Sequence, residues 1–295
     1  MNMPRAAVTL WGLLALGASP VSAAESRVVA VGGAVTEIVY ALDAGEHLVG
    51  VDTTSTWPAA AQRLPQVGYQ RALSAEGVLS LAPSLVLATT DAGPPAVIEQ
   101  IRATGVAVHV VAAEPSLAGV RNKVRGIARA LGREAQGERL LRTIENDLAR
   151  VREFTRDTPQ PPRVLFVLDH GGGSPQAAGG GTTADAMIRL AGGINAVTAF
   201  EGFRPLSAEA VVTAAPDVIL LTSQSLTRLG GAEGLGQIAG VALTPAGRAG
   251  RVIAMESLYL LGFGPRIGQA AAELAAKLHP TAATVGKSAR RAAHE

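Results

Sequence analysis

Two apolar patterns alternate along the chain. The runs Arg27-Val-Val-Ala-Val, Ser84-Leu-Val-Leu, Arg163-Val-Leu-Phe-Val-Leu and Asp217-Val-Ile-Leu carry apolar residues without a polar face. Such runs predict parallel strands covered on both sides. Elsewhere apolar residues recur at helical spacing, most clearly Leu141, Ile144, Leu148 and Val151, with Arg139, Arg142, Glu145, Asp147, Arg150, Arg152 and Glu153 on the other faces. That stripe predicts a helix over residues 134–156, about 33 Å long at roughly 1.5 Å per residue. Thr158-Pro-Gln-Pro-Pro ends it, because proline cannot continue a helix. Strands alternating with helices predict an α/β fold.

The chain also repeats itself. LSAEGVLSLAPSLVL at residues 73–87 and LSAEAVVTAAPDVIL at residues 206–220 match at eight of fifteen positions, at an offset of 133. Each copy reads as a short helix capped by Ser74 or Ser207, a turn marked by proline, and a buried strand. A weaker likeness lies upstream. The strand ending at Gly32-Gly33 is followed by a helix over residues 36–42, and the strand ending at Asp169-His170 by one over residues 183–191, with Thr36 and Thr183 as expected caps. The expectation is two similar lobes, each a parallel sheet flanked by helices, joined by one long helix. The division is residues 25–133, a linker helix at 134–158, and residues 159–295. Ligands of open parallel sheets sit beyond the carboxyl ends of the strands, so two such lobes facing each other enclose a cleft.

Residues 1–24 read as an export signal: Arg5, an apolar run over residues 6–18, then Ser19-Pro20 and the small residues Val21-Ser-Ala-Ala. The run is too short to span a bilayer, and no later segment is apolar for 18 residues, so a soluble periplasmic protein without an integral membrane segment is expected. At 295 residues, with 48% hydrophobic and 17% charged, the chain is too apolar for disorder and long enough for two domains. Aromatics are 3% and the net charge is only +2, which argues against a nucleic-acid partner. The absence of cysteine excludes disulfides, thiolate metal sites and acylation of a lipoprotein cysteine. Neither a G-x-G-x-x-G nor a G-x-S-x-G pattern occurs, and no acid–base pair or metal triad with recognisable spacing emerges, so no enzyme is expected.

Several segments resemble a known family. LPQVGYQRALSAEGVLSLAPSLVL at residues 64–87, PQAAGGGTTADAMIRLAGG at 175–193 and LGFGPR at 261–266 are similar to the haem-binding members of the helical-backbone (class III) periplasmic binding proteins, which serve ABC haem (hemin) importers. The resemblance implies a monomeric carrier that holds ferric haem between its lobes and delivers it to an inner-membrane permease and its ATPase. The same fold serving a ferric siderophore or cobalamin is the alternative.

Against that background six residues stand out. Tyr69, in the loop before Ser74, offers a phenol, a hard oxygen donor suited to ferric iron. Arg71 is two residues on, where its fork of donors suits the phenolate oxygen or a haem propionate. The offset places Arg204 opposite Arg71 and Gly202 opposite Tyr69, so one lobe supplies the strong iron ligand. His170, at the end of the first strand of the second lobe, is the candidate second axial ligand, by analogy with relatives that use a histidine from that lobe. His47, His109, His279 and His294 show no metal-binding spacing. Glu76 and Glu209 are matched by the offset and lie in the first turns of their helices, where the dipole favours a carboxylate. The resemblance implies that they dock onto arginines of the permease.

Overall fold

The computed structural model describes residues 26–156, 158 and 160–280. The expected export signal, the polar C-terminal tail and His294 lie outside the described residues. In the first lobe, β1 (Val28–Val31), α1 (Gly33–Ala41), β2 (Leu48–Val51), α2 (Ala75–Leu79), β3 (Leu85–Thr89), α3 (Pro95–Ala103), β4 (Ala107–Val111) and α4 (Leu117–Ala130) follow in order. The strands form one parallel sheet, β2-β1-β3-β4. The long helix α5 (Glu134–Thr155) follows, and Leu141, Ile144, Leu148 and Val151 are all buried on it, as their spacing predicts.

The second lobe runs β5 (Arg163–Leu168), β6 (Gln176–Ala178), α6 (Thr183–Leu190), β7 (Ile194–Asn195), β8 (Phe203–Pro205), α7 (Ala208–Ala214), β9 (Val218–Thr222), α8 (Ser223–Arg228), α9 (Gly231–Gly236), α10 (Pro245–Ala249), β10 (Val252–Met255), α11 (Ser257–Leu261) and α12 (Ile267–Leu278). Its sheet is β10-β9-β5-β6-β8, with β7 also on β5. The strands β5, β7, β9 and β10 pair in parallel, whereas β6 and β8 join antiparallel, which makes this sheet mixed. The two short antiparallel strands carry no long apolar run and left no such signal in the sequence.

The duplication is structural. The order β1-β3-β4 recurs as β5-β9-β10, and the offset of 133 carries Leu85–Thr89 onto Val218–Thr222. Ser74 and Ser207 both cap, accepting from the Gly77 and Ala210 amides. The turns match as well: Ala82 and Ala215, each before a proline, have φ of 44° and 41°. An arginine opens the first strand of each lobe and grips this turn. Arg27 donates to the Leu81 and Ala82 carbonyls, and Arg163 to the Ala214 carbonyl. Two expected caps are displaced. Helix α1 begins at Gly33 rather than Thr36, because Asp52 and Thr54 side chains already accept from the Gly32 and Gly33 amides at 2.9 Å. Thr36 is buried and bonded to Ser55 instead. Thr182, not Thr183, caps α6 by accepting from the Asp185 amide.

One apolar cluster runs through both lobes, from Val28, Ile38 and Leu42 through Leu141, Ile144 and Leu148 to Met187, Leu260, Ile267 and Leu274. Each such fully buried side chain contributes about 1.5–3 kcal/mol. Helix α12 lies so close to α5 that a Cβ at Gly268 would stand 2.5 Å from the Cβ of Asp147. Lys123 of α4 is buried and donates to the Phe263 carbonyl of the second lobe at 3.2 Å. Burial lowers its pKa to about 8 against the opposing pull of Asp91.

Gly268→Val is expected to destabilise the protein by roughly 2 kcal/mol or more, since overpacking forces two helices apart; a thermal melt equal to wild type would contradict the packing. For Lys123 the folded pKa lies below the unfolded one, so the unfolded chain binds more protons between the two and stability rises with pH across that window. The stability difference between wild type and Lys123→Met should therefore move by about 2 kcal/mol in favour of wild type from pH 7 to pH 10. Denaturant melts at both pH values measure it, and a constant difference would refute the burial of a charge at this contact.

Candidate functional site

The carboxyl ends of the strands decide where the site lies. In the first lobe the chain leaves β2 through Asp52, whose buried carboxylate also accepts from the Thr54 and Ser55 hydroxyls. The Thr53 amide then donates to the Gly68 carbonyl at 2.9 Å, which brings the 68–73 loop to this edge. Gly68 has φ of 96°, a conformation costly for residues with a side chain. A turn from the Ala72 amide to the Tyr69 carbonyl follows at 2.8 Å. The Gly93 amide donates to the Gln70 carbonyl, and the Leu73 amide to the Gly93 carbonyl, so the loop is stitched to the segment after β3.

Tyr69 projects from this fastened loop and is 42% exposed, a high value for a tyrosine on a rigid turn. Arg71 Nη1 donates to its phenol oxygen at 3.1 Å, and Arg71 Nη2 pairs with Asp91 at 3.0 Å. Burial works to lower the Arg71 pKa, but the phenol and the Asp91 carboxylate outweigh it and hold the group above its ordinary value. The arrangement presents a phenol oxygen to solvent with a guanidinium held against it. Sequence reasoning joined Tyr69 and Arg71; it did not find Asp91, which is twenty residues away in a turn without a distinguishing motif.

In the second lobe His170 stands two residues beyond β5 and is exposed, with no side-chain hydrogen bond or ion pair among the described residues. Its loop is anchored beneath it: the Asp169 amide donates to Ser225 Oγ at 3.1 Å, and Arg228 reaches the Asp169 carbonyl. Arg204 lies on β8 opposite Ala177 of β6, which is paired in turn with Val167 near the end of β5. Its guanidinium rests 4.9 Å from the centre of the Phe200 ring and has no carboxylate partner among the described residues. Gly202, in the place of Tyr69, has open space where a Cβ would stand. Glu76 and Glu209 are both exposed on the first turns of α2 and α7, without ion-pair partners among the described residues.

A bridge that the sequence did not reveal joins the lobes. Arg266, within the LGFGPR segment, is bonded to the buried Glu37 of α1, and its guanidinium lies 4.8 Å from both the Trp57 and the Tyr259 ring centres. Burial raises the Glu37 pKa, with Arg266 opposing. Glu256 caps α11 through the Leu258 and Tyr259 amides, and Thr56 reaches it from the first lobe at 3.5 Å. Partners separated by about 200 residues leave no local pattern. Among the described residues no three His, Asp or Glu side chains gather to hold a metal ion, and no helix is long and apolar enough to cross a membrane. A groove of about 450 Å³ beside α5 and α12 is lined by Val151, Phe154, Gly268 and neighbours, and contains none of these site residues.

Comparison with known proteins agrees with this architecture. The periplasmic heme-binding protein RhuT from Roseiflexus sp. RS-1 superposes with a TM-score of 0.85 at 46% identity, covering 87% of this chain and 99% of that one. The periplasmic heme-binding protein BhuT, in complex with two hemes, gives 0.83 at 45% identity over 87% and 98%. The uncharacterized ABC transporter substrate-binding lipoprotein YvrC of Bacillus subtilis (strain 168) is 26% identical over 83% of this chain and 77% of its own length. By their names, the first two are binding proteins and the third is the substrate-binding part of an ABC transporter. Residues 28–259 match the periplasmic binding protein family, and the chain belongs to it.

Proposed function

We propose that this protein is the periplasmic substrate-binding component of an ABC haem importer, carrying ferric haem between its lobes to an inner-membrane permease and its ATPase. The observation that carries the reading is the exposed Tyr69 phenol with the Arg71 guanidinium on its oxygen. A phenolate is a hard donor that favours ferric over ferrous iron, and a cationic N–H against that oxygen offsets the charge it bears when bound. In this reading Tyr69 ligates the iron and His170, without a side-chain partner among the described residues, supplies the second axial position. Arg204, which has no carboxylate partner among the described residues, donates to a propionate, for which its planar fork is well suited. RhuT and BhuT, similar over nearly their whole length, support the choice of haem.

The apolar cluster continuous through both lobes supports a cleft that changes little on loading. Release then depends on the permease prying the lobes apart, with Glu76 and Glu209 as the docking charges, one per lobe. The carrier acts as a monomer in the periplasm. It is read as free of a lipid anchor, since the sequence offers no cysteine for the acylation found in lipoproteins.

Purified protein given ferric haem should show a Soret band and a phenolate-to-iron charge-transfer band. Tyr69→Phe should abolish the charge-transfer band and weaken binding by about a hundredfold or more, as loss of a metal ligand exceeds the roughly 10–100-fold cost of losing its supporting partner. Unchanged spectra in that variant would overturn the ligand assignment. Binding of a ferric siderophore or cobalamin, with none of haem, would favour the rival cargo. Glu76→Lys and Glu209→Lys should each reduce carrier-stimulated ATPase activity of the permease complex by about tenfold, the scale expected when a charge pair becomes a like-charge clash. Haem affinity should stay at the wild-type value, and its loss would count against docking.

A further inference from the structure

The Arg71–Asp91 pair is exposed on both sides, with side-chain accessibilities of 57% and 44%. A pair so exposed contributes about 0–1 kcal/mol to stability, too little to account for it as a structural brace. Its geometry is more informative. The two terminal nitrogens of one guanidinium are divided between two partners, Nη1 on the Tyr69 oxygen and Nη2 on Asp91 Oδ2. Arginine has a long, freely rotating stem, and a single bond to a phenol leaves that stem largely unrestrained. A carboxylate on the far side of the planar fork fixes its orientation.

Asp91 itself is well placed to do this. Its turn is held by the Ala92 amide on the Thr89 carbonyl and by the Thr90 amide on the Val111 carbonyl, at 3.0 and 2.9 Å. The Thr90 hydroxyl accepts from the Ala113 amide. Gly93, two residues on, is bonded to Gln70 and Leu73 of the Tyr69 loop. Carboxylate, guanidinium and phenol therefore belong to two segments locked to each other by main-chain bonds.

We infer that Asp91 is a positioning residue of the iron-binding site, holding Arg71 against the Tyr69 oxygen and tempering the positive charge that Arg71 places there. The inference rests on the carrier reading above. Two substitutions separate its two parts. Asp91→Ala removes both the acceptor and the charge, while Asp91→Asn keeps an acceptor oxygen and removes the charge alone.

The experiment loads wild type and both variants with ferric haem and follows the charge-transfer band, the rate of haem transfer to apomyoglobin, and the midpoint potential of the bound haem. Asp91→Ala should shift the charge-transfer band and release haem about tenfold faster, the scale of one charge-assisted hydrogen bond at an exposed site. Asp91→Asn should release haem at close to the wild-type rate but show a more positive midpoint potential, because an uncompensated guanidinium draws electron density from the phenolate. A merely structural role would move the melting temperature and none of these readouts. Wild-type band, release rate and potential in both variants would overturn the inference while leaving the carrier reading intact. A wild type that takes up no haem would overturn both. Should Asp91→Ala fail to fold, the potential of Asp91→Asn decides: a value equal to wild type refutes the tempering of charge.

Discussion

The constraint on which this molecule depends is the apolar packing that continues from one lobe through α5 and α12 into the other. Residues of both sheets, Val28 and Ala30 on one side and Val164 and Phe166 on the other, belong to the same buried cluster as Leu141, Ile144 and Leu148. Protein interiors resist small changes of volume because they are close-packed. Lobes that share such an interior resist small displacements of one against the other. Buried polar contacts at the same junction, Lys123 to the Phe263 carbonyl and Arg266 to Glu37, add direction to that packing.

On this frame the duplication supplies two similar edges and then breaks their equivalence. The two turns with left-handed alanines, the two arginines that grip them and the two serine caps keep the halves alike. At the repeat offset the halves differ, because Gly202 stands where the first lobe has Tyr69. The antiparallel strands β6 and β8 add a further difference, since they bring Arg204 beside the end of β5 in one lobe only.

The chemistry at the Tyr69 loop follows from how tightly its backbone is held. Main-chain bonds from residues 53 and 93 leave the loop little freedom, so the phenol and guanidinium can be exposed without losing their orientation. Membership of the periplasmic binding protein family accords with that design, in which a rigid scaffold presents ligand groups at strand ends.

The sequence by itself determined the alternation of strands and helices, the long α5 with its buried stripe, the repeat and its serine caps, and the local pair Tyr69 and Arg71. All of these rest on interactions within a few residues or on a periodicity that burial enforces. One misreading was a local signal outvoted by distant ones: Thr36 looks like a cap, but Asp52 and Thr54 already serve the start of α1. Only the tertiary structure brought Asp91 to Arg71, Arg266 to Glu37 between Trp57 and Tyr259, and Lys123 to Phe263. Those partners are separated by between 20 and 229 residues. Their meeting is set by how the sheets and helices stack, a relation that hydrophobic spacing along one segment does not encode.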